Sequence, residues 1–199
     1  MLTADIFLGM LRDSIRLFER PNPVLIESIK ERDNKVDYLY REIKMFLLDH
    51  ANKSSSAVHQ NIMSLIMFIT DLERAADAID INICTLAIKK NALKLEFEHH
   101  DWDEIVRMHA STSELASLAV NAFQNKDLAP QAIQLKRALA KTEFTLREHH
   151  IGRLHQGLRD SINTSSIHLD LLSEYRRIAS LLCNHAYGPN SEFSPAAEK

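Results

Sequence analysis

Hydrophobic residues recur at three- and four-residue steps along most of this chain, which is the spacing of one face of an α-helix. The clearest run lies between Ser56 and Lys90. Five similar runs occupy residues 2–19, 23–50, 101–124, 130–158 and 161–187. Short polar or proline-bearing stretches separate the runs, so the pattern predicts an all-α chain of six long helices.

Three of these helices carry candidate start signals. Asn22 precedes Pro23 and is predicted to cap the second helix. The serines at 54–56 are expected to cap the third helix in the same way. Asp101 is followed by Glu104 three residues later, the spacing of a capping box that opens the fourth helix.

An internal repeat relates the two halves of the chain. Residues 72–77 align with residues 175–180, and the apolar positions before them also correspond. Helix number and helix order match as well. The sequence therefore predicts two tandem antiparallel three-helix bundles, at residues 1–95 and 101–188, with residues 189–199 as a disordered tail.

The composition is that of an ordinary globular protein. Of 199 residues, 45% are hydrophobic and 26% are charged, and only four are glycine. The formal net charge is −3 and the basic residues are dispersed, which argues against nucleic-acid binding. The longest nearly uncharged run is too short to cross a bilayer, and Cys84 and Cys183 lack a CxxC partner. We therefore expect a soluble, cytoplasmic chain whose cysteines serve packing.

Two pairs of acids lie four residues apart on adjacent helices. Asp33 and Asp37 fall on the second helix, and Glu73 and Asp77 lie at the edge of the apolar stripe of the third. Carboxylates at this spacing repel one another, and a hard cation bound between the helices would remove that cost. The alternative is that they face water or pair with a neighbouring cation such as Arg74.

The order of these acids resembles the PhoU family, whose repeat is a three-helix bundle with paired acidic motifs. Asp-xxx-Asp is followed here by Asp-Leu-Glu-Arg-x-x-Asp, with Ala75-Ala76 where the family usually has Ile-Gly. The resemblance covers all six helices. It implies that a divalent or trivalent metal ion (Fe, Zn, Mn or Mg) binds to four carboxylates: Asp33, Asp37, Glu73 and Asp77.

The second unit departs from the family pattern. Its corresponding motif on the fifth helix is Glu143 to Arg147 or Glu148 to Gly152, and neither contains a second acid. Arg176 and Ser180 stand where the sixth helix would carry its acids. We expect no metal in this unit and a salt bridge formed by Arg176.

This asymmetry also resembles the PhoU-like domain that follows the membrane part of sodium-dependent phosphate cotransporters. The resemblance implies a non-enzymatic regulator of phosphate uptake, located at the cytosolic face of the cell membrane without inserting into it. Its partner would be a membrane phosphate transporter, in the same full-length chain or separate, or a phosphate sensor protein. A stand-alone PhoU-type signalling regulator is the alternative, and homo-oligomerisation stays open.

An enzyme of the carboxylate-metal bundle type, a hydrolase or oxidase, is the alternative from a different class. The His99-His100-Asp101 stretch and the Glu96/His99 pair each occur without the second motif that such enzymes need. His149 and His150 are expected at the surface, and Trp102 is expected to anchor a helix start in the core. No glycine-rich phosphate loop or nucleophile elbow is present, so we predict no catalysis.

Overall fold

The computed structural model describes residues 2–51, 55–155 and 159–186. All regular structure within these ranges is helical, as predicted. The α-helices are α1 (Leu2–Ser14), α2 (Pro23–Ala51), α3 (Ser56–Asp77), α4 (Cys84–Ala92), α5 (His99–Gln124), α6 (Ala129–His155) and α7 (Arg159–Leu182). Residues 156–158 and the predicted tail at 189–199 lie outside the described ranges.

A π-helical turn, Ala78–Ile83, joins α3 to α4 without a break. The two helices therefore form one long rod, and the described chain contains the six rods that periodicity predicted. A π turn accommodates about one extra residue, so it rotates the side chains that follow it relative to those before it. Such turns are frequent at functional sites, and this one begins directly after Asp77.

The rods pack in two sets of three. In the first set α1, α2 and α3 contact one another, and in the second set α5, α6 and α7 do the same. Contacts between α3 and α7 and between α1 and α5 join the sets through a continuous hydrophobic core. The fully buried Tyr175 lies in that core with its hydroxyl 3.3 Å from Oγ of Ser14, so α7 and α1 share a polar contact.

The predicted helix starts have mixed outcomes. Asn22 does cap α2, since its Oδ1 accepts a hydrogen bond of 3.0 Å from the backbone N–H of Leu25. Ser55 does occupy the N-cap position of α3, but its side chain makes no capping bond, and Ser54 lies outside the described residues. The capping box is wrong: α5 begins at His99, and Asp101 and Glu104 turn into the protein. Both acids are buried because they pair with an arginine of α6, described below.

Some single-residue predictions are confirmed and one needs correction. His149 is exposed, but His150 is completely buried, contrary to the surface location expected for both. Trp102 is half-buried at the start of α5, with its ring 6.3 Å from that of Phe97. Cys84 and Cys183 are buried free thiols in the core.

In the part of the chain that the structure describes, we find no helix with the length and apolar character needed to cross a membrane.

Candidate metal centre

Three of the four predicted acids converge between α2 and α3. Asp33 and Asp37 project from α2, and Asp77 is the last residue of α3. One carboxylate oxygen of each lies within 4.8 Å of the corresponding atoms of the other two. This convergence is close enough for a single cation to contact all three side chains.

Local sequence explains the convergence. Residues four apart on a helix share a face, so Asp33 and Asp37 point to the same side of α2. Ala75 and Ala76 are fully buried just before Asp77. Their small side chains occupy little space in the core, and we expect them to allow close approach of the neighbouring helix, as Ile-Gly does in the family.

Glu73 lies outside this tight group but remains coupled to it. The pKa of Glu73 is raised above its usual value, chiefly by burial and then by the charges of Asp77 and Asp37. The positive charges of Arg74 and Lys44 oppose this shift in pKa, and Nζ of Lys44 donates a hydrogen bond of 2.8 Å to the hydroxyl of Tyr40. Glu73 is thus placed at the rim of the cluster, beside a cation of the protein itself.

Asp80 is a member of the cluster that the sequence analysis missed. It lies on the π turn, and its charge is the largest electrostatic contribution to the raised pKa of Asp33. Its position three residues after Asp77 was a usable signal, because residues at that spacing are neighbours on a helix. The π turn itself has no marker in the sequence.

The centre of the cluster is Asp33. The residue is only 7% exposed, and its Oδ1 makes no hydrogen bond within the described residues. Burial, followed by the charges of Asp80, Asp37, Asp77 and Glu73, raises its pKa from 3.8 to about 7. Asp77 also has a raised pKa, chiefly through burial. The arrangement therefore opposes its own ionisation near neutral pH.

A bound cation would reverse this penalty. Carboxylate oxygens are ligands for Mg²⁺, Mn²⁺, Fe and Zn²⁺, and a cation turns their mutual repulsion into attraction. The unpartnered, buried Oδ1 of Asp33 fits such an ion, because an unsatisfied buried oxygen is costly. Asp37 and Asp77 are half-buried, so the site is partly open to solvent.

Asp71 belongs to the same acidic stretch but has a different role. It is buried, and its Oδ2 accepts a hydrogen bond of 3.1 Å from Asn184 beyond the end of α7. Arg74 lies 3.9 Å from its other oxygen. Asp71 therefore connects the two units rather than contributing to the acid cluster.

The equivalent position of the second unit holds its own cations. Glu143 on α6 is 2% exposed and pairs with Arg147 on the next turn and with Arg176 on α7, the latter at 3.3 Å. Arg147 also donates a hydrogen bond of 2.8 Å to Ser173. The predicted Arg176 salt bridge is confirmed, and the register Glu143 to Arg147 is the one that α7 contacts.

Fold and site define a class: a tandem pair of three-helix bundles in which three carboxylates converge between the second and third helices of the first bundle. Comparison with known families agrees with this description. The PhoU domain model matches residues 2–86. Over this range the chain is similar to the PhoU domain family.

Curated relatives extend the match beyond the first unit. The chain is 28% identical over 165 residues to the "Putative inorganic phosphate export protein YjbB" of Salmonella typhimurium, and 26% identical to the protein of the same name in Escherichia coli K12. Each alignment covers 81% of this chain and 30% of the relative. The chain therefore spans less than a third of the length of these relatives.

Solved structures share the whole architecture. PhoU from Pseudomonas aeruginosa superposes with a TM-score of 0.83 at 16% identity, covering 93% of this chain and 88% of that one. The phosphate transport system regulatory protein PhoU from Streptococcus pneumoniae gives a TM-score of 0.71 at 15% identity, covering 92% and 89%. At these identities the likeness shows the fold, which is the PhoU fold in both units.

Proposed function

We propose that this chain is a PhoU-type regulatory domain of phosphate transport that acts from the cytosolic face of a membrane transporter. The observation that carries this proposal is the convergence of Asp33, Asp37 and Asp77 inside the unit that matches the PhoU domain. Metal binding at these residues, with Glu73 at the rim, is the part of the proposal that the chain's own chemistry supports.

The transporter context is supported by the relatives. Their name refers to phosphate export, and they are about three times as long as the matched segment. A sodium-dependent transporter fused to this domain is the form that we favour. The sequence resemblance suggested phosphate uptake, so the direction of transport is a question for the flux experiment below.

A stand-alone PhoU regulator is the second candidate, because one observation favours it. This chain covers nearly nine-tenths of each of the two PhoU structures, so both units of the PhoU fold are represented in it. In that case the partner would be a separate phosphate transporter or sensor protein, reached through the cytoplasm.

We assign the domain no catalytic role. The convergence of Asp33, Asp37 and Asp77 supports an ion site, and the charges of Asp80 and Glu73 add to it. If the purified chain hydrolysed phosphoesters and Glu73→Gln abolished that turnover, the carboxylate-metal enzyme would replace this proposal.

The test makes two measurements on one double variant. Asp33→Asn combined with Asp77→Asn should abolish saturable Mn²⁺ binding by the chelator-treated chain, measured by calorimetry, because Mn²⁺ suits an all-carboxylate site. The same substitutions in the complete gene should change labelled-phosphate uptake or efflux by whole cells. Glu148→Gln, an exposed acid on α6, is the matched control for both measurements.

The two parts of the proposal fail separately. Unchanged metal binding in the double variant would refute the assigned metal site. Lost binding with unchanged phosphate flux in both directions would refute the transport role while leaving the metal site intact.

A further inference from the structure

A second group of ligand-type side chains lies in the other unit, away from the acid cluster and from Glu143. Asp101 and Glu104 project from α5, His150 from α6 and His168 from α7. We call these four residues the quartet. All four are buried, and one candidate ligand atom from each lies within 4.8 Å of the other three.

We propose that the quartet binds one transition-metal ion of the Zn²⁺ type, with Arg153 as an internal competitor for the same place. The donor set is two imidazoles and two carboxylates, a combination suited to Zn²⁺, Co²⁺ or Fe²⁺ rather than to Mg²⁺ or Ca²⁺. The proposal is independent of the function assigned to the first unit.

Unsatisfied buried atoms are the first argument. Oδ2 of Asp101 and both ring nitrogens of His168 make no hydrogen bond within the described residues, although both side chains are 0% exposed. Nε2 of His168 lies 3.2 Å from Oε2 of Glu104, but not in hydrogen-bonding geometry. Polar atoms left in this state are costly, and bonds to a metal ion would satisfy them.

The surroundings of His150 are the second argument. Its Nε2 lies 2.8 Å from Oγ of Ser165, while its Nδ1 lies 3.2 Å from Oδ1 of Asp101. If Nε2 carries the proton and donates a hydrogen bond to Oγ of Ser165, the lone pair of Nδ1 points into the quartet. Histidines that bind metals are held in this manner, with the other ring nitrogen hydrogen-bonded to a neighbouring group.

Charge is the third argument. Asp101 and Glu104 are both buried, and Nη2 of Arg153 contacts both carboxylates at 2.7 Å. A histidine must be neutral to bind a metal ion, so neither His150 nor His168 would contribute charge to the site. The two carboxylates with one arginine therefore leave one negative charge uncompensated in a buried place.

Among the described contacts of Asp101 and Glu104, Arg153 is the only permanently charged cation. Its Nη2 lies 2.7 Å from Asp101 and 2.7 Å from Glu104, and its Nη1 lies 2.9 Å from Glu104. It comes from the last turn of α6, and its side chain is 17% exposed. A dication in its place would bring the quartet to neutrality, with Arg153 turned towards water.

This competition separates the proposal from a purely structural network. In a structural network Arg153 is a required partner, and Arg153→Met leaves two buried carboxylates unpaired and creates no ion affinity. In the proposed metal site the same substitution removes a competitor. The sign of its effect on metal affinity therefore decides between the two explanations.

The experiment uses Co²⁺, whose visible absorption reports nitrogen coordination and low coordination number. The full chain carries Asp33→Asn, Asp37→Asn and Asp77→Asn to disable the first site, and is stripped with chelator before titration. We expect one saturable equivalent of Co²⁺ with strong visible bands. Arg153→Met should tighten binding by about tenfold, which corresponds to roughly 1.4 kcal/mol.

Matched histidine variants complete the test. His168→Asn should abolish the visible bands, whereas His149→Asn, at the exposed neighbour of His150, should leave them unchanged. Circular dichroism verifies that each variant is folded, and if His168→Asn does not fold, the Arg153→Met titration still decides. Absence of saturable Co²⁺ binding both with Arg153 and with Arg153→Met would overturn the proposal, as would bands that depend on His149.

Discussion

Replacing Asp33 by asparagine should change the stability of this protein in opposite directions without and with metal. In the metal-free chain Asp33 is a nearly buried carboxylate surrounded by other acids, and its pKa is raised to about 7. Removing its charge therefore reduces the repulsion among the acids and raises the free energy of unfolding. In the metal-bound chain the same carboxylate would be a ligand, so its loss removes a favourable interaction.

The pKa shift sets the size of the metal-free effect. An aspartate with a pKa of 3.8 in the unfolded chain and about 7 in the folded chain keeps its proton longer when folded. Between these pH values a rise in pH therefore favours unfolding. Between about pH 5 and about pH 8 the unaltered protein should lose roughly 3 kcal/mol of unfolding free energy through Asp33. This is an upper figure, because water screens the open side of the cluster.

Urea unfolding in the presence of EDTA, followed by circular dichroism, measures this loss. The Asp33→Asn variant should be the more stable protein at the higher pH, with a flatter dependence of stability on pH. In Mn²⁺ at about one hundred times its dissociation constant, the unaltered protein should gain about 2.7 kcal/mol that the variant does not gain. Glu148→Gln, at an exposed site on α6, should follow the unaltered protein in both conditions.

Two outcomes would refute this reasoning. Parallel curves of stability against pH for the variant and the unaltered protein in EDTA would mean that burial and the neighbouring acids do not raise the pKa of Asp33. An equal gain from Mn²⁺ in both proteins would mean that the metal binds elsewhere.

Two further substitutions test other charged groups. Glu143→Gln should lower the unfolding free energy by about 2 kcal/mol in urea unfolding, because it removes the buried partner of Arg147 and Arg176. Arg176→Gln should cost less than about 1 kcal/mol, because Arg176 is mostly exposed, and equal costs would contradict this account. Lys90→Met should leave the melting temperature unchanged or raise it, since Lys90 is 2% exposed and its partner Glu96 is 86% exposed. A fall of more than about 2 kcal/mol in the unfolding free energy of Lys90→Met would show that this ion pair is stabilising.

The helices could be predicted because their signal is local. Burial of one stripe imposes a period of 3.6 residues, and the few glycines and prolines fall between the stripes. Convergence of Asp33 with Asp77 was predictable for a related reason. Acids four residues apart on each of two neighbouring helices need only an antiparallel packing of those helices to meet.

The errors arose where one local pattern fits two environments. Asp101 and Glu104 have the spacing of a capping box, but three residues is also the spacing of neighbours on one helix face. Their partner Arg153 lies about fifty positions further along the chain. The same problem affected His150, which is buried only because α5 and α7 both pack over that face of α6. Information about such partners is tertiary and absent from any short window.

The arginines around Glu143 have a consequence for how this molecule could report on its surroundings. Glu143, a buried acid with two permanent counter-charges, keeps the same charge balance whatever ions the solution contains. Asp33 is surrounded by other acids, which raise its pKa, so its charge balance changes when the solution supplies a cation. Contacts between α3 and α7 join the two bundles. A change of occupancy at Asp33 would therefore act across a helix interface while the Glu143 position stays constant.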